Sequence, residues 1–210
     1  MKVAALLAAG ALVTGSALAT SAHAASAAPA CRLLLDAPGD AQAALITPNI
    51  PPLDIQSADV ATGSKNLVGV IRVASLAKDP QTTGGSTYTL SWHSNQYEQS
   101  FTLVQYIDGA QSVSYTYKKE GTTGTANEVA ATALLDPATS TITWTLPRTK
   151  SPVLRAQKKL YVAKLTDLAA SAAPGINSKG AFTFSGSFNG DTADQGKPYV
   201  DGSRSCVKGT

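Results

Sequence analysis

Residues 87–93 read Thr-Tyr-Thr-Leu-Ser-Trp-His, in which small polar side chains alternate with large apolar ones. Such alternation predicts a β-strand with one face on the core and one face in solvent. Tyr88, Leu90 and Trp92 form the apolar set, so the hydroxyl-bearing residues between them and His93 are expected to face water. The segment therefore predicts an antiparallel sheet that is covered on one side only.

Four further segments alternate in the same way. Their apolar members are Phe101 and Leu103; Val113, Tyr115 and Tyr117; Ile142, Trp144 and Leu146; and Phe182, Phe184 and Phe188. Turn signals separate them, Asp108-Gly109 being a typical hairpin turn. Residues 67–76 are instead apolar on both parities, which predicts a central strand covered on both sides. Gly69 within it predicts a bulge or a close backbone approach.

These patterns together predict an all-β fold. Period-two segments between turns favour an antiparallel, jelly-roll-like β-sandwich, which we assign to a single domain over residues 31–207. At most one short helix is expected, near residues 160–172, where several apolar residues roughly follow helical spacing. Pro174-Gly175 would end that helix.

The start of the chain has the organisation of a secretory signal peptide. Lys2 supplies the positive charge, an apolar run follows, and Ala22-His23-Ala24 fits the small-residue cleavage rule. We expect removal of residues 1–24, a disordered stretch over residues 25–30 and a secreted, extracellular bacterial protein. No later apolar run approaches the roughly 20 residues of a membrane span, so a membrane-embedded protein is not expected.

Cys31 and Cys206 are the two cysteines of the chain. In an oxidising compartment they are expected to form one structural disulfide that joins the first and last strands. The alternative, a lipidated Cys31, is disfavoured because Ala28-Pro29-Ala30 precedes the cysteine where a lipoprotein signal would place its leucine-containing box.

Charge and motifs exclude several functional classes. A formal net charge of +3 is too small to indicate a nucleic-acid partner. His93 is the one histidine outside the signal peptide, and neither a Gly-x-Ser-x-Gly nucleophile motif nor a His-Glu-x-x-His zinc motif occurs. The sequence therefore predicts no catalytic residues and a protein that is not an enzyme.

Carboxylates near the two ends of the domain suggest a structural calcium ion. Asp36 and Asp40 share a turn-rich loop, and the proposed disulfide would bring Asp201 close to them. Calcium takes six to eight oxygen ligands, which loop carboxylates and carbonyls supply. The alternative is that these acids simply build exposed turns, in which Asp and Gly are abundant.

The aromatic residues fall into two groups by their parity in the strands. Trp92 and Trp144 lie on the apolar faces of their strands and are expected in the core. Tyr115 and Tyr117 precede the basic pair Lys118-Lys119 and are expected to be partly exposed, where their rings would bind a ligand such as a sugar.

Three patterns in the first part of the chain resemble a known group of modules. They are Asp36-x-x-Gly39-Asp40, the sequence Leu-Asp-Ile-Gln-Ser-Ala-Asp-Val over residues 53–60, and the apolar strand over residues 67–76. Across residues 31–92 the chain resembles the DOMON and family 9 carbohydrate-binding-module group of secreted bacterial proteins. The resemblance implies an antiparallel sandwich, a non-catalytic role and a structural calcium; it does not support haem.

We therefore expect a secreted, monomeric, non-catalytic binding or structural module whose partner is an extracellular polysaccharide, a cell-wall glycan or an extracellular protein. One alternative is a secreted hydrolase with two loop carboxylates about 5–10 Å apart in a cleft. Another is a secreted protease inhibitor that presents residues 147–157, which include Arg148, Lys150 and Arg155, as a rigid loop.

Overall fold

The computed structural model describes residues 33–39, 41, 50–62, 65–77, 85–94, 96–106, 108–155, 162–164, 166–174, 191–192 and 198–200. In these residues the chain forms thirteen strands. They are β1 (Leu34–Leu35), β2 (Ile55–Thr62), β3 (Asn66–Val73), β4 (Ser86–Ser94), β5 (Tyr97–Gln105), β6 (Gln111–Lys119), β7 (Asn127–Ala130), β8 (Thr132–Asp136), β9 (Thr141–Pro147), β10 (Val162–Lys164), β11 (Thr166–Pro174), β12 (Asp191–Thr192) and β13 (Pro198–Val200).

The strands form two large antiparallel sheets. Sheet A has the order β1-β2-β3-β9-β8, sheet B has the order β12-β11-β4-β5-β6-β7, and β10 pairs separately with β13. Every pair is antiparallel. The expected all-β antiparallel sandwich is thus confirmed. Within the described residues no helix is of a length and hydropathy that would cross a membrane.

The core lies between the two sheets, because both contribute their apolar faces to one cluster. Phe101 of β5 stacks on Trp144 of β9 across the interior, with ring centroids 6.0 Å apart and an interplanar angle of 8°. Trp92 and Trp144 are both buried, as their parity predicted. Each large side chain buried in this way contributes about 1.5–3 kcal/mol to folding.

Gly69 lies at a close approach of the two sheets. A Cβ atom at this position would stand 2.7 Å from Cδ2 of Phe101 and 2.9 Å from Cδ2 of Leu90, both in sheet B. The residue pairs regularly with Val60 and Trp144 on either side. Of the two sequence-based interpretations, the close approach is therefore correct and the bulge is not.

The central strand β3 is covered on both faces, as its continuous apolar run predicted. Ile71 points into the sandwich, while Val70 lies on the opposite parity, and both are fully buried. Asp59 pairs with Val70 on that second face and is also fully buried. Sheet A therefore buries a carboxylate outside the inter-sheet core.

The helix that the sequence allowed near residues 160–172 does not form in the described residues. This stretch contains β10 and β11, and β11 pairs along β4. Leu168, Ala170 and Ala172 are buried at a period of two, so the strand satisfies its backbone on β4 and places its small apolar residues in the core.

The segment proposed as a rigid inhibitor loop is described as far as residue 155 and consists of two short helical turns. Arg148–Lys150 form a 3-10 turn and Pro152–Arg155 form a single helical turn. Leu154 joins the core cluster and Ser151 is fully buried. Residues 148–155 therefore pack against the sandwich while the side chains of Lys150 and Arg155 stay exposed, so the inhibitor alternative remains a prediction.

Several sequence-based expectations lie outside the described residues. These are the signal peptide over residues 1–24, the stretch over residues 25–30, both cysteines (Cys31 and Cys206), Asp40, Asp201 and the strand expected around Phe182–Phe188. The disulfide, the calcium site and the domain limits 31–207 remain predictions.

Candidate functional site

The solvent face of sheet B carries a regular array of hydroxyl groups. Strands β4, β5 and β6 pair without a break in register, so their outward residues align in rows across the sheet. Nine positions form three such rows on these three strands, and eight of them are Ser or Thr, Val104 being the exception. We call the eight residues the hydroxyl face: Thr87, Thr89, Ser91, Ser100, Thr102, Ser112, Ser114 and Thr116.

The geometry of the hydroxyl face follows from that of the sheet. Neighbouring strands stand about 4.8 Å apart and alternate residues along a strand about 7 Å apart, which places the hydroxyls on a two-dimensional grid. Ser100 and Thr116 are cross-strand neighbours whose hydroxyls lie 2.7 Å apart, within hydrogen-bond distance. Seven of the eight residues are half-buried and Ser112 is exposed. The hydroxyl of Thr87 is itself buried, so the array is only partly open to solvent.

An open pocket of about 270 Å³ lies at one end of this face. Ser91, Ser100 and Thr116 belong both to the hydroxyl face and to the pocket wall. The charged and titratable wall residues are His93, Glu98, Lys118 and Asp167. The uncharged hydroxyl face therefore ends at a pocket whose wall contains charged side chains.

His93 is the centre of a group of three carboxylates. Its Nε2 lies 3.7 Å from Glu98, and its Nδ1 lies 3.2 Å from Glu120 and 3.6 Å from Asp167. A neutral imidazole has one N–H, so it donates toward one side of this group, whereas the imidazolium donates toward both. All four side chains keep contact with solvent: 32% of His93, 54% of Glu98, 45% of Glu120 and 50% of Asp167 is exposed.

Local backbone features bring these side chains together. His93 and Glu98 are direct partners across the β4–β5 hairpin, whose turn residue Gln96 has a positive φ of 65°. The amide of Glu120 donates to the carbonyl of Gln96, which holds the end of β6 against that turn. On the other side, β11 shifts register between residues 166 and 169, and Asp167 in this bulge has a φ of 52°. Bulges commonly redirect a side chain in this way.

The arrangement is suited to binding through hydrogen bonds and ionic contacts. Half-exposed carboxylates remain hydrated, whereas a general acid usually depends on burial. Within the described part of the chain, no group of three or more His, Cys, Asp or Glu side chains has an arrangement that would hold a metal ion. The pocket therefore offers carboxylate, imidazole and ammonium groups for polar recognition.

The structure corrects the expected exposure of Tyr115. Its side chain is fully buried against Phe101 and Trp92, at ring-centroid distances of 5.5 and 6.4 Å, so its ring is not available to a ligand. Burial also raises its pKa, because an ionised phenol would lose hydration there. Tyr117 is half-buried and stacks on Tyr115 at 6.0 Å.

The two acids of the segment over residues 53–60, Asp54 and Asp59, have a structural role. Asp59 accepts a 3.0 Å hydrogen bond from the amide of Leu33 and pairs with the guanidinium of Arg72. Asp54 accepts a 2.9 Å hydrogen bond from the amide of Gly39. Both buried carboxylates thus tie the N-terminal segment to sheet A.

Of the expected calcium ligands, the structure describes Asp36 alone. Its carboxylate accepts a 2.7 Å hydrogen bond from the next amide, that of Ala37. Asp side chains commonly make local hydrogen bonds of this kind to neighbouring backbone amides. The observation agrees with the turn interpretation of Asp36, and the calcium site remains a prediction because Asp40 and Asp201 lie outside the described residues.

Sequence reasoning found the parity of the hydroxyl face but did not recognise it as a site. The sequence signal for this face was the recurrence of Ser and Thr at the outward positions of three consecutive strands that two hairpins keep in register. The pocket had no comparable signal, because the β11 bulge that positions Asp167 is a property of strand pairing.

Comparison of the chain with protein-family models, curated protein sequences and solved structures finds no match.

Proposed function

We propose that this protein is an exported, non-catalytic module that binds a polysaccharide on the outer surface of sheet B. The observation that carries this proposal is the hydroxyl face: in three of the four outward rows that cross β4, β5 and β6, eight of nine residues are Ser or Thr. Export itself is inferred from the signal-peptide pattern of residues 1–24. The resemblance to carbohydrate-binding modules is in keeping with the proposal.

A repeating polyhydroxylated ligand matches this surface best. Each Ser or Thr hydroxyl offers one donor and two acceptor positions, and so does each sugar hydroxyl. A rigid grid of such groups makes many simultaneous, individually weak hydrogen bonds to a ligand with its own repeat. Protein partners usually require an aromatic or aliphatic anchor at the centre of the interface, and the nine positions of these rows provide no large side chain beyond Val104.

Substitution of Thr89, at the middle of the face, tests the proposal. Thr89→Lys places a long charged side chain between Ser171 of β11 and Thr102 of β5, its register partners. We expect at least tenfold weaker retention on insoluble polysaccharides and bacterial cell-wall fractions in a pull-down assay. The matched control is Thr132→Lys, which makes the same exchange on the exposed edge strand β8 of sheet A.

The proposal fails if the wild-type protein is retained on none of a panel of neutral and charged polysaccharides. It also fails if Thr89→Lys, shown to be folded by circular dichroism, binds as tightly as the Thr132→Lys control. Binding that is lost equally in both variants would point to another surface.

A secreted hydrolase is the second candidate, because Glu98 and Asp167 line one pocket on either side of His93. Both acids are about half exposed, and their carboxylates lie on opposite sides of the His93 imidazole. Release of new reducing ends from a bound polysaccharide, abolished by Glu98→Gln, would favour this candidate over the binding module.

A further inference from the structure

Strand β8 forms one edge of sheet A and has an exposed leucine at its centre. It runs from Thr132 to Asp136 and pairs with β9 at all five positions, without a shift of register. In the part of the chain that the structure describes, β8 is the last strand of its sheet, so its outer side has no strand partner there. A strand in this position presents a row of backbone N–H and C=O groups that another strand can bind.

Exposure rises along the row of outward residues that ends on β8. The row crosses sheet A from Asp59 through Val70 and Thr143 to Leu134. Asp59 and Val70 are fully buried, Thr143 is half-buried and Leu134 is 59% exposed. The edge of the sheet thus carries a large apolar side chain beside its unpaired backbone, and addition of a strand would cover both.

The other described strands at the ends of the two sheets are better protected against such pairing. β1 and β12 have two residues each. β7 has four residues, of which Asn127 and Glu128 are exposed. Natural sheets protect their edges with short strands, charges, Pro or bulges. β8 contains no Lys, Pro or bulge, and its single charge lies at its last position, Asp136.

We propose that β8 pairs antiparallel with β8 of a second copy of this chain, about a two-fold axis at Leu134. Leu134 is the middle residue of the strand, so this register pairs all five positions of both copies. It sets Leu134 against Leu134 of the second copy, Ala133 against Leu135 and Thr132 against Asp136. The two Asp136 carboxylates lie at opposite ends of the contact, each across from a neutral residue.

The charges near this edge select the register. A two-fold axis at Thr132 would extend the contact into β7 but would place Glu128 directly across from Asp136, and like charges in such pairs are destabilising. An axis at Leu134 avoids this contact and buries the two exposed leucine side chains against each other. Because both copies use the same surface, the contact closes as a dimer.

This pairing goes beyond the proposed function, because it uses sheet A and not the hydroxyl face of sheet B. It also replaces the monomer expected from the sequence. A contact between two five-residue strands is small compared with the roughly 1,200–2,000 Å² that stable interfaces bury. The dimer should therefore be weak and should form as the protein concentration rises.

Sedimentation velocity over a concentration series tests the proposal. We expect a reversible monomer–dimer equilibrium in the wild type. Leu134→Lys should weaken it by about tenfold or more, because two ammonium groups would face each other at the axis. The matched control is Leu35→Lys, since Leu35 is 60% exposed on β1 at the opposite edge of the same sheet. This control should dimerise like the wild type, and circular dichroism checks that both variants are folded.

A cysteine at the axis gives a second, independent measurement. Directly opposite residues of antiparallel strands have Cα atoms about 4.5–5.5 Å apart, which is within the range of a disulfide. Mild oxidation of Leu134→Cys should therefore link two chains through residue 134, and Leu35→Cys should give several-fold less linked product. Peptide mapping by mass spectrometry distinguishes this link from one through Cys31 or Cys206.

The proposal can fail separately from the proposed function. A wild-type protein that stays monomeric up to its solubility limit, or a dimer that Leu134→Lys leaves intact, overturns it. Linkage of Leu134→Cys that is no greater than that of Leu35→Cys also overturns it, and so does an unrelated extended peptide that binds β8 of a monomeric protein. Absence of polysaccharide retention in a protein that dimerises as expected overturns the proposed function alone.

Discussion

The hydroxyl of Tyr115 donates a 2.7 Å hydrogen bond to Oε1 of Gln99 in the interior of the sandwich. Gln99 in turn donates from Nε2 to Oγ of Ser94 at 2.7 Å, and Oγ of Ser151 lies 3.3 Å from the Tyr115 hydroxyl. All four residues are buried. The network joins β4, β5 and β6 to the residue that precedes the helical turn, so a polar cluster closes this end of an otherwise apolar core.

Removal of the Tyr115 hydroxyl should destabilise the protein. In Tyr115→Phe the ring still fills the core, but the buried Oε1 of Gln99 loses its donor, which typically costs about 1–3 kcal/mol. Chemical denaturation measures the change in the free energy of unfolding. Tyr117→Phe, at a half-buried position outside this network, is the control and should change it by less than about 0.5 kcal/mol. Equal stability of the two variants would contradict the interpretation.

Two buried tyrosines should make the fold sensitive to alkali. Burial raises the pKa of both Tyr88 and Tyr115 above the ordinary value of about 10. In the unfolded chain they ionise near that value, while in the folded protein they stay protonated to higher pH. The unfolded state therefore binds fewer protons above pH 10, and the free energy of unfolding falls there, whereas below pH 10 these groups have no effect on it.

Ultraviolet difference spectroscopy during a rising pH titration checks this expectation. The phenolate signals of Tyr88 and Tyr115 should appear only together with the loss of folded structure. In Tyr115→Phe the loss of stability above pH 10 should be shallower than in the wild type. Ionisation of every tyrosine in one step while the fold persists would be the opposite result.

The sheets could be predicted from the sequence because the large apolar side chains of an alternating strand all lie on one face, and burying that face is favourable. Tyr88, Leu90 and Trp92 are all buried, and the polar residues between them face outward. The burial of Tyr115 could not be predicted in the same way. Its alternation with Ser114 and Thr116 is as strict, and the adjacent Lys pair suggested exposure, but its phenol has a buried partner in Gln99 that only the fold reveals.

The candidate site was less accessible to sequence reasoning, for a physical reason. His93, Glu98, Glu120 and Asp167 come from three strands and a turn, and Asp167 is 74 residues from His93 along the chain. Their proximity depends on which strands pair and on one register shift in β11. Hydrophobic periodicity determines which face a residue occupies but contains no information about the strand beside it.

Arg72 should be needed for the stability of the fold, because its guanidinium pairs with the buried carboxylate of Asp59. Asp59 is fully buried and Arg72 is partly exposed, so Arg72→Met leaves the negative charge without its cation while the aliphatic stem is retained. Breaking a buried pair from one side costs about 3–5 kcal/mol. The double variant Arg72→Met with Asp59→Asn removes both charges and should recover part of the loss; a double variant as unstable as the sum of the single ones would contradict a direct coupling.

The expected disulfide has a direct chemical test. Cys31 and Cys206 should resist thiol-labelling reagents in the unfolded, non-reduced protein, and mass spectrometry should detect one peptide pair linked through them. In the chain-entropy model a bridge across so long a loop stabilises the fold by about 5 kcal/mol, so reduction should lower the denaturation midpoint. Two titratable thiols in the oxidised, secreted protein would exclude the bridge and remove the argument that Asp201 approaches Asp36.

Gly69→Ala should be poorly tolerated although it adds only a methyl group. The new Cβ would stand 2.7 Å from Phe101 and 2.9 Å from Leu90, inside the normal contact distance, so the two sheets or these side chains must move. Overpacking of this kind costs about 1–3 kcal/mol, and thermal or chemical denaturation measures it. Because the clash is with Phe101, the destabilisation of the double variant Gly69→Ala with Phe101→Leu should be smaller than the sum of the two single effects. Additive effects would mean that the added methyl group is accommodated elsewhere, and that Gly69 does not set the separation of the sheets at this point.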